Sequence, residues 1–244
     1  MVFAVMIYNT QSDHAVRFEW GMQGVCSVAN LGGVVVIVDV LSFSTCVDIA
    51  CERGAVVLPY QYKDASVEDF ARANGALVAN KRAEKGFSLS PQSLLSIPAA
   101  TRLVLPSPNG ATLSLACAAP VVLAGCLRNA RAVAAFASRH PGPITVIAAG
   151  ERWDDGALRP AIEDLLGAGA IIHYLQQAKS PEATVAEAAF IGALPTLAAL
   201  VNSSSSGIEL HDKGFPGDVE LAIALNSSAC VPRLIDGAYT RAEG

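Results

Sequence analysis

The stretch Val34-Val-Val-Ile-Val-Asp39-Val-Leu-Ser42-Phe-Ser44-Thr45-Cys-Val-Asp48-Ile-Ala-Cys-Glu-Arg53-Gly54 decides the fold class. Five apolar, mostly β-branched residues read as a strand buried on both faces, the signature of a parallel sheet. Asp39 follows at the carboxyl end of that strand, where open α/β sheets bind ligands. Ser42, Ser44 and Thr45 are candidate N-caps, Cys46, Val47, Ile49 and Ala50 suit the first turns of a helix, and Gly54 suits its end. Strand, acid, hydroxyl-rich turn and helix together make a site for a metal, a phosphate or both.

The same alternation continues outward. Strands are expected at 2–8, 55–59, 77–79, 102–105, 121–124 and 144–149, with helices between them near 63–75, 91–96, 111–118, 131–137 and 160–178. Residues 17–21 read as a loop or edge strand, 181–201 as an Ala-rich helix, 202–207 as a mobile serine-rich loop, 214–225 as a helix and 231–239 as an extended segment. Repeated β-α order implies α/β architecture, a largely parallel or mixed sheet sandwiched by helices. No linker interrupts the pattern, so one domain over 1–244 is expected. Residues 34–54 and 144–175 share a strand-acid-loop-helix layout that hints at internal duplication.

Bulk properties exclude several classes. Net charge of −5 and 6% aromatic residues leave neither the basic surface nor the stacking platform of a nucleic-acid binder. Apolar runs fall short of the roughly 20 residues a membrane helix needs, and the N-terminus has no basic start, so a cytoplasmic protein without membrane contact is expected. Six cysteines without a Cys-x-x-Cys pair read as reduced core thiols. Four scattered histidines without a His-Glu-x-x-His motif argue against zinc.

Three groups of residues carry candidate chemistry. Asp39 could hold a divalent cation or act on water; the competing reading is a turn cap. Glu163 and Asp164 near a helix start could complete an oxygen-ligand set with it, against the simpler reading of carboxylates placed on the helix dipole. Lys81, Arg82, Arg128 and Arg152 each fall close to a predicted strand's carboxyl end and could neutralise a phosphate or sulfonate; Arg159 is a further cation of that kind. Ser107-Pro-Asn109-Gly110 could offer backbone N–H groups to an anion, or be an ordinary turn. Leu41 stands where a haloacid-dehalogenase phosphatase needs its second acid, no cysteine has an arginine six residues later, and Gly167-Ala-Gly169 lacks the third glycine of a dinucleotide fingerprint.

Taken in order, Val38-Asp39-Val-Leu-Ser42-Phe-Ser44-Thr45, Gly86-Phe-Ser-Leu-Ser90-Pro91, Ser107-Pro-Asn109-Gly110, Asn129-Ala130, Ala149-Gly150-Glu151, Glu163-Asp164, Gly167-Ala-Gly169 and Val231-Pro232 resemble the 2-phosphosulfolactate phosphatase family over about residues 34–235. The resemblance implies a three-layer α/β/α fold, magnesium, and hydrolysis of a phosphate ester on a small sulfonated acid, chemistry first associated with coenzyme M biosynthesis. Position by position it points to Asp39, Asn109, Glu163 and Asp164 as catalytic, with Asp39, Glu163 and Asp164 on the metal. Ser44, Thr45, Lys81, Arg82, Gly110, Arg128, Asn129 and Arg152 are the expected substrate contacts. The chain departs from the family pattern at Ser42, where an arginine is usual, and in the loop Asn80-Lys81-Arg82. Those departures motivate a second reading, a non-catalytic small-anion-binding protein on the same scaffold; a structural or interaction protein without a polar pocket near Asp39 is a third. The expected partners are a small anionic phosphorylated substrate and, as a homodimer, a second copy of the chain.

Overall fold

In the computed structural model, which describes residues 9–29, 32–61 and 64–243, the alternation becomes a sheet clad in helices on both faces. The strand expected at 2–8 lies outside the described residues. The chain order begins β1 (Val16–Trp20), α1 (Gly21–Ser27), β2 (Val34–Val38), α2 (Phe43–Glu52), β3 (Val56–Tyr60), α3 (Ser66–Ala73), β4 (Leu77–Val78), β5 (Arg102–Pro106) and α4 (Gly110–Ala116). It continues with β6 (Val121–Gly125), α5 (Ala130–Ala137), β7 (Ile144–Ala148), a two-stranded hairpin of β8 (Glu151–Arg152) and β9 (Leu158–Arg159), α6 (Ile162–His173) and α7 (Pro181–Ala193). Helices α8 (Leu197–Asn202), α9 (Ser205–Asp212) and α10 (Pro216–Ala222) precede the closing strands β10 (Pro232–Ile235) and β11 (Ala238–Arg241).

The main sheet has nine strands in the order β1-β7-β2-β6-β10-β11-β3-β5-β4. Strands β1, β7, β2 and β6 are mutually parallel, as are β3, β5 and β4. Between these blocks sits the antiparallel hairpin β10-β11, joined to each by a single registered pair, Arg233 with Leu123 and Tyr239 with Val57. The segment expected merely to be extended at 231–239 is therefore the seam of the sheet. The fold is mixed α/β in three layers, as its sequence implies.

Alternation along the central strand explains the layers. Val34, Val36 and Val38 pack with α5, α6 and α7, while Val35 and Ile37 pack with α1 and α4. All five are buried, which is why the strand reads as continuously apolar rather than alternating. Helix α6 lies close because its small residues permit it. A Cβ on Gly167 would stand 2.6 Å from a Val40 methyl, and one on Gly169 would stand 2.2 Å from the Ala186 carbonyl oxygen of α7. The Gly167-Ala-Gly169 pattern is thus a packing device.

Residues 21–27, where the sequence suggests no helix, form α1, and one expectation is corrected: the serine run at 202–207 is no loose loop, because Ser204 caps α9 by accepting the Gly207 N–H at 3.1 Å. The stretch Pro181–Asp212 is long and apolar enough to pass for a membrane span by composition, yet Ala183, Ala186 and Phe190 are buried in the core and a 3₁₀ turn at Leu194–Thr196 interrupts it.

Glycines 169 and 192 make opposed tests of this packing. Gly169→Ala should destabilise by about 1–3 kcal/mol through overpacking of α6 on α7. Gly192→Ala, in α7 with nothing within 4 Å of the added carbon, should stabilise by up to about 1 kcal/mol through reduced chain entropy. Urea unfolding of both variants checks the pair.

Candidate active site

Asp39 is buried at the end of β2, and both its carboxylate oxygens meet backbone donors. Oδ1 accepts from Phe43 N at 3.1 Å, and Oδ2 accepts from Gly110 N at 2.9 Å. The first bond makes Asp39 the acid that closes the turn into α2, so none of the expected hydroxyl caps is needed there. Those hydroxyls bond backward instead: Ser44 accepts from Asp39 N and donates to Ile37 O, both at 3.0 Å, and Thr45 donates to Val40 O at 2.8 Å. Ser44 and Thr45 thus brace the turn and present no hydroxyl to a ligand.

The second bond reaches across 71 residues to the first residue of α4. Only glycine fits there, since a Cβ would stand 2.4 Å from the Phe43 ring and 2.8 Å from Asp39 Oδ2. The Asn109-Gly110 turn therefore does greet an anion with its backbone N–H, and that anion is the protein's own Asp39.

From the other side, α6 delivers Glu163 and Asp164 in its first turn, both buried. Asp164 Oδ1 accepts from Val40 N at 2.7 Å and Oδ2 from Gly150 N at 2.8 Å, tying the ends of β2 and β7 together. Burial, with the nearby charges of Asp39 and Glu163, holds its carboxyl well above the ordinary carboxylate range. Glu163, also buried, receives no hydrogen bond from any described residue. Glu151, at the start of the β8-β9 hairpin, completes the group and accepts from the Asn109 side-chain amide at 3.0 Å. Burial, then the Asp39 charge, push Glu151 up to about 7 despite that amide. Four carboxylates thus crowd one place.

Glu151 was missing from the expected site residues, although its position repeats that of Asp39: a carboxylate just past a buried parallel strand. That repetition between β2 and β7 was the available signal.

The cations divide sharply. Arg82 meets the turn that follows β2: its guanidinium donates to the Ser42 hydroxyl at 2.9 Å and to Leu89 O, faces Asp218 at 3.5 Å, and stands 5.5 Å from the Phe215 ring centroid. Residue 42, where the family pattern carries arginine, is therefore in contact with one. Asp218 is fully buried and also accepts from Ser90 and from Gln92 N, so α10 pins the 80–92 loop. Lys81 is exposed on that loop. Arg152 is exposed on the hairpin, donating to Gly156 O at 3.1 Å, and Arg159 faces Glu151 while donating to Ser206.

Arg128 and Asn129 have other tasks. Arg128 Nε donates to buried Asp48 at 2.9 Å, and its other nitrogens face Glu52 at 3.6 Å and Leu221 O at 3.4 Å. Asn129 is wholly buried, accepting from Cys126 N and donating to the carbonyls of Ala124 and Cys230. Both side chains are consumed by scaffold contacts.

With this geometry in place, comparison with known proteins settles the lineage. The sequence profile of the 2-phosphosulpholactate phosphatase family matches residues 24–237. The chain belongs to that family. It is 30% identical over 211 residues to a 2-phosphosulfolactate phosphatase of Methanothermobacter thermautotrophicus, covering 84% of this chain and 88% of that protein. It is 29% identical over 245 residues to a probable 2-phosphosulfolactate phosphatase of Thermosynechococcus vestitus, covering 93% and 95%. A probable 2-phosphosulfolactate phosphatase of Caldanaerobacter subterraneus subsp. tengcongensis is 25% identical over 217 residues. The paired carboxylates of α6, the Asn109-Gly110 turn and Glu151 all lie within the matched span.

Two outcomes test the site as built. Gly110→Ala should lower stability by about 1–3 kcal/mol through overpacking and displace the amide from Asp39, read by urea unfolding and by the loss of the protected Gly110-position amide in hydrogen exchange. Arg128→Met should cost about 3–5 kcal/mol at pH 7.5, because it strands a buried carboxylate. Burial raises Asp48 to about 6 from its usual 3.8, so a folded chain takes up its proton more readily than an unfolded one. Stability contributed by that proton is therefore present at low pH and lost as pH rises from about 4 to about 6. The Arg128→Met deficit should shrink accordingly between pH 7.5 and pH 5.

Proposed function

We propose that this chain is a magnesium-dependent phosphoric monoester hydrolase acting on a small anionic phosphate ester, with 2-phosphosulfolactate as the reference substrate. The observation that carries the reading is the convergence of Asp39, Glu151, Glu163 and Asp164 at the carboxyl ends of β2 and β7 in a member of this family. The non-catalytic alternative rested on the altered residues 42 and 80–82, and Arg82 beside Ser42 supplies the guanidinium whose loss motivated it.

A hard divalent cation suits the donor set. The ligands are carboxylate oxygens, they repel one another in a buried setting, and Glu163 has no hydrogen-bond donor among the described residues. Among the described residues no three such groups converge into a finished metal cage, so binding requires the side chains to draw together. Asp39, Glu151, Glu163 and Asp164 are the residues proposed to hold the ion; Asp39 and Asp164 each give one lone pair per oxygen to backbone amides, and a carboxylate oxygen has two. When bound, magnesium supplies compact positive charge that polarises a phosphoryl group.

The rest of the chemistry belongs to the chain. Arg82, whose Nη1 makes no hydrogen bond to a described residue, is placed to bind phosphoryl oxygens, and Asp218, Leu89 O and Ser42 hold it in place. Asn109 keeps the Glu151 carboxylate turned toward the cluster. The Ser44 proton is committed to Ile37 O in a fully buried position, which favours direct attack by water over a phosphoserine intermediate.

Phosphate release from 2-phosphosulfolactate should require magnesium and vanish with a chelator. Asp39→Asn should lower kcat/KM by at least about a hundredfold, in protein that circular dichroism shows to be folded and that urea unfolding shows to be less stable by about 1.5–3 kcal/mol. Full magnesium-dependent turnover by Asp39→Asn would overturn the assignment.

A further inference from the structure

A cleft of about 270 Å³ opens at Asn109 and Glu151, next to the carboxylate cluster. Gly110, the residue after Asn109, donates to Asp39, so the cleft and the Asp39 carboxylate are one residue of backbone apart. Large apolar side chains form its walls: Trp20 at the end of β1, Met22 in α1, Leu113 in α4 and Leu158 in β9. The backbone beside Leu158 is kept bare. A Cβ on Gly150 would stand 2.6 Å from a Leu158 methyl and one on Gly21 3.3 Å from it, and both glycines have positive φ.

Arg152 is the one cation among the described residues that line this space. Its Nη1 is braced by Gly156 O across the hairpin at 3.1 Å, and its other N–H groups meet no described residue. A tail with an apolar body would meet Trp20, Met22, Leu113 and Leu158, surfaces that a single methylene leaves uncovered.

We propose that this cleft receives the organic group of the ester and selects one with an apolar body of several carbons and an acid paired with Arg152. The proposal rests on the phosphatase reading of the adjoining carboxylates. It makes Arg152 and the Trp20 wall determinants of specificity, and it sets this chain's preferred tail apart from the short, polar tail of 2-phosphosulfolactate.

Three phosphate-free hydroxy acids test it by calorimetric titration of the full chain: 3-phenyllactate, lactate, which lacks the apolar body, and 3-sulfolactate, which adds a second acid. We expect 3-phenyllactate to bind at least about tenfold more tightly than the other two. Arg152→Gln should weaken it about tenfold. Ala157→Trp, which fills the cleft from the exposed hairpin, should abolish it, with melting temperatures of both variants unchanged. Equal binding of all three acids, or 3-phenyllactate binding untouched by Ala157→Trp, would overturn the proposal. Phosphate release from the three O-phosphorylated counterparts separates the two readings. If none is hydrolysed while 3-phenyllactate still binds, the phosphatase reading fails and the cleft assignment stands. If all three are hydrolysed alike and Ala157→Trp leaves KM unchanged, the cleft assignment fails and the phosphatase reading stands.

Discussion

The carboxylate of Asp39 is the tie on which this structure depends. One oxygen closes the turn that starts α2, and the other takes the N–H of Gly110, at the end of a strand from the opposite parallel block. Hydrogen bonds to a charged acceptor contribute about 1.5–3 kcal/mol each, more than an ordinary neutral bond. Because both donors are backbone groups, the carboxylate fixes the path of two loops and not merely a rotamer. Asp164 repeats the device between β2 and β7. The site is assembled by acids stitching strand ends together.

That arrangement has an electrostatic consequence. Stitching with carboxylates gathers like charges in a place that excludes water, and the strain appears in the raised Glu151 and Asp164. A buried structural network would ordinarily pair each acid with a base, as Asp48 pairs with Arg128 and as Asp218 faces Arg82. At the cluster, among the described residues, Arg159 is the cation that acts on Glu151 in that sense. Uncompensated negative charge at the carboxyl ends of parallel strands is what separates this place from the other buried ion pairs of the molecule, and it is the ground for reading it as functional.

Much of this was readable from residues alone. The continuous apolar run 34–38 could only be a strand buried on both faces, and an acid directly after it could only lie at the sheet's ligand edge. Arg128 and Asn129 show the limit of that logic. They too follow a strand's carboxyl end, yet Arg128 turns to Asp48 and Asn129 closes its own turn, and which way a side chain faces is set by partners 80 and 101 residues away. Glu151 stands three residues past its strand and opens a hairpin rather than a helix, so its local pattern marks it less sharply than that of Asp39. Helix α1 escaped notice because its glycines and short length weaken the periodic signal.

Sequence by itself determined the α/β class, the buried central strand, the acid at its end and the paired acids of α6, because these follow from local periodicity and from the fixed geometry of a parallel strand. Tertiary structure alone decided which cation meets Ser42, that the Gly110 N–H donates to Asp39 Oδ2 rather than to a substrate anion, and that the hairpin β10-β11 joins the two halves of the sheet. Each of those depends on contacts between residues distant in the chain. Local patterning restricts which segments can form, but only the simultaneous packing of all of them selects which side chains meet.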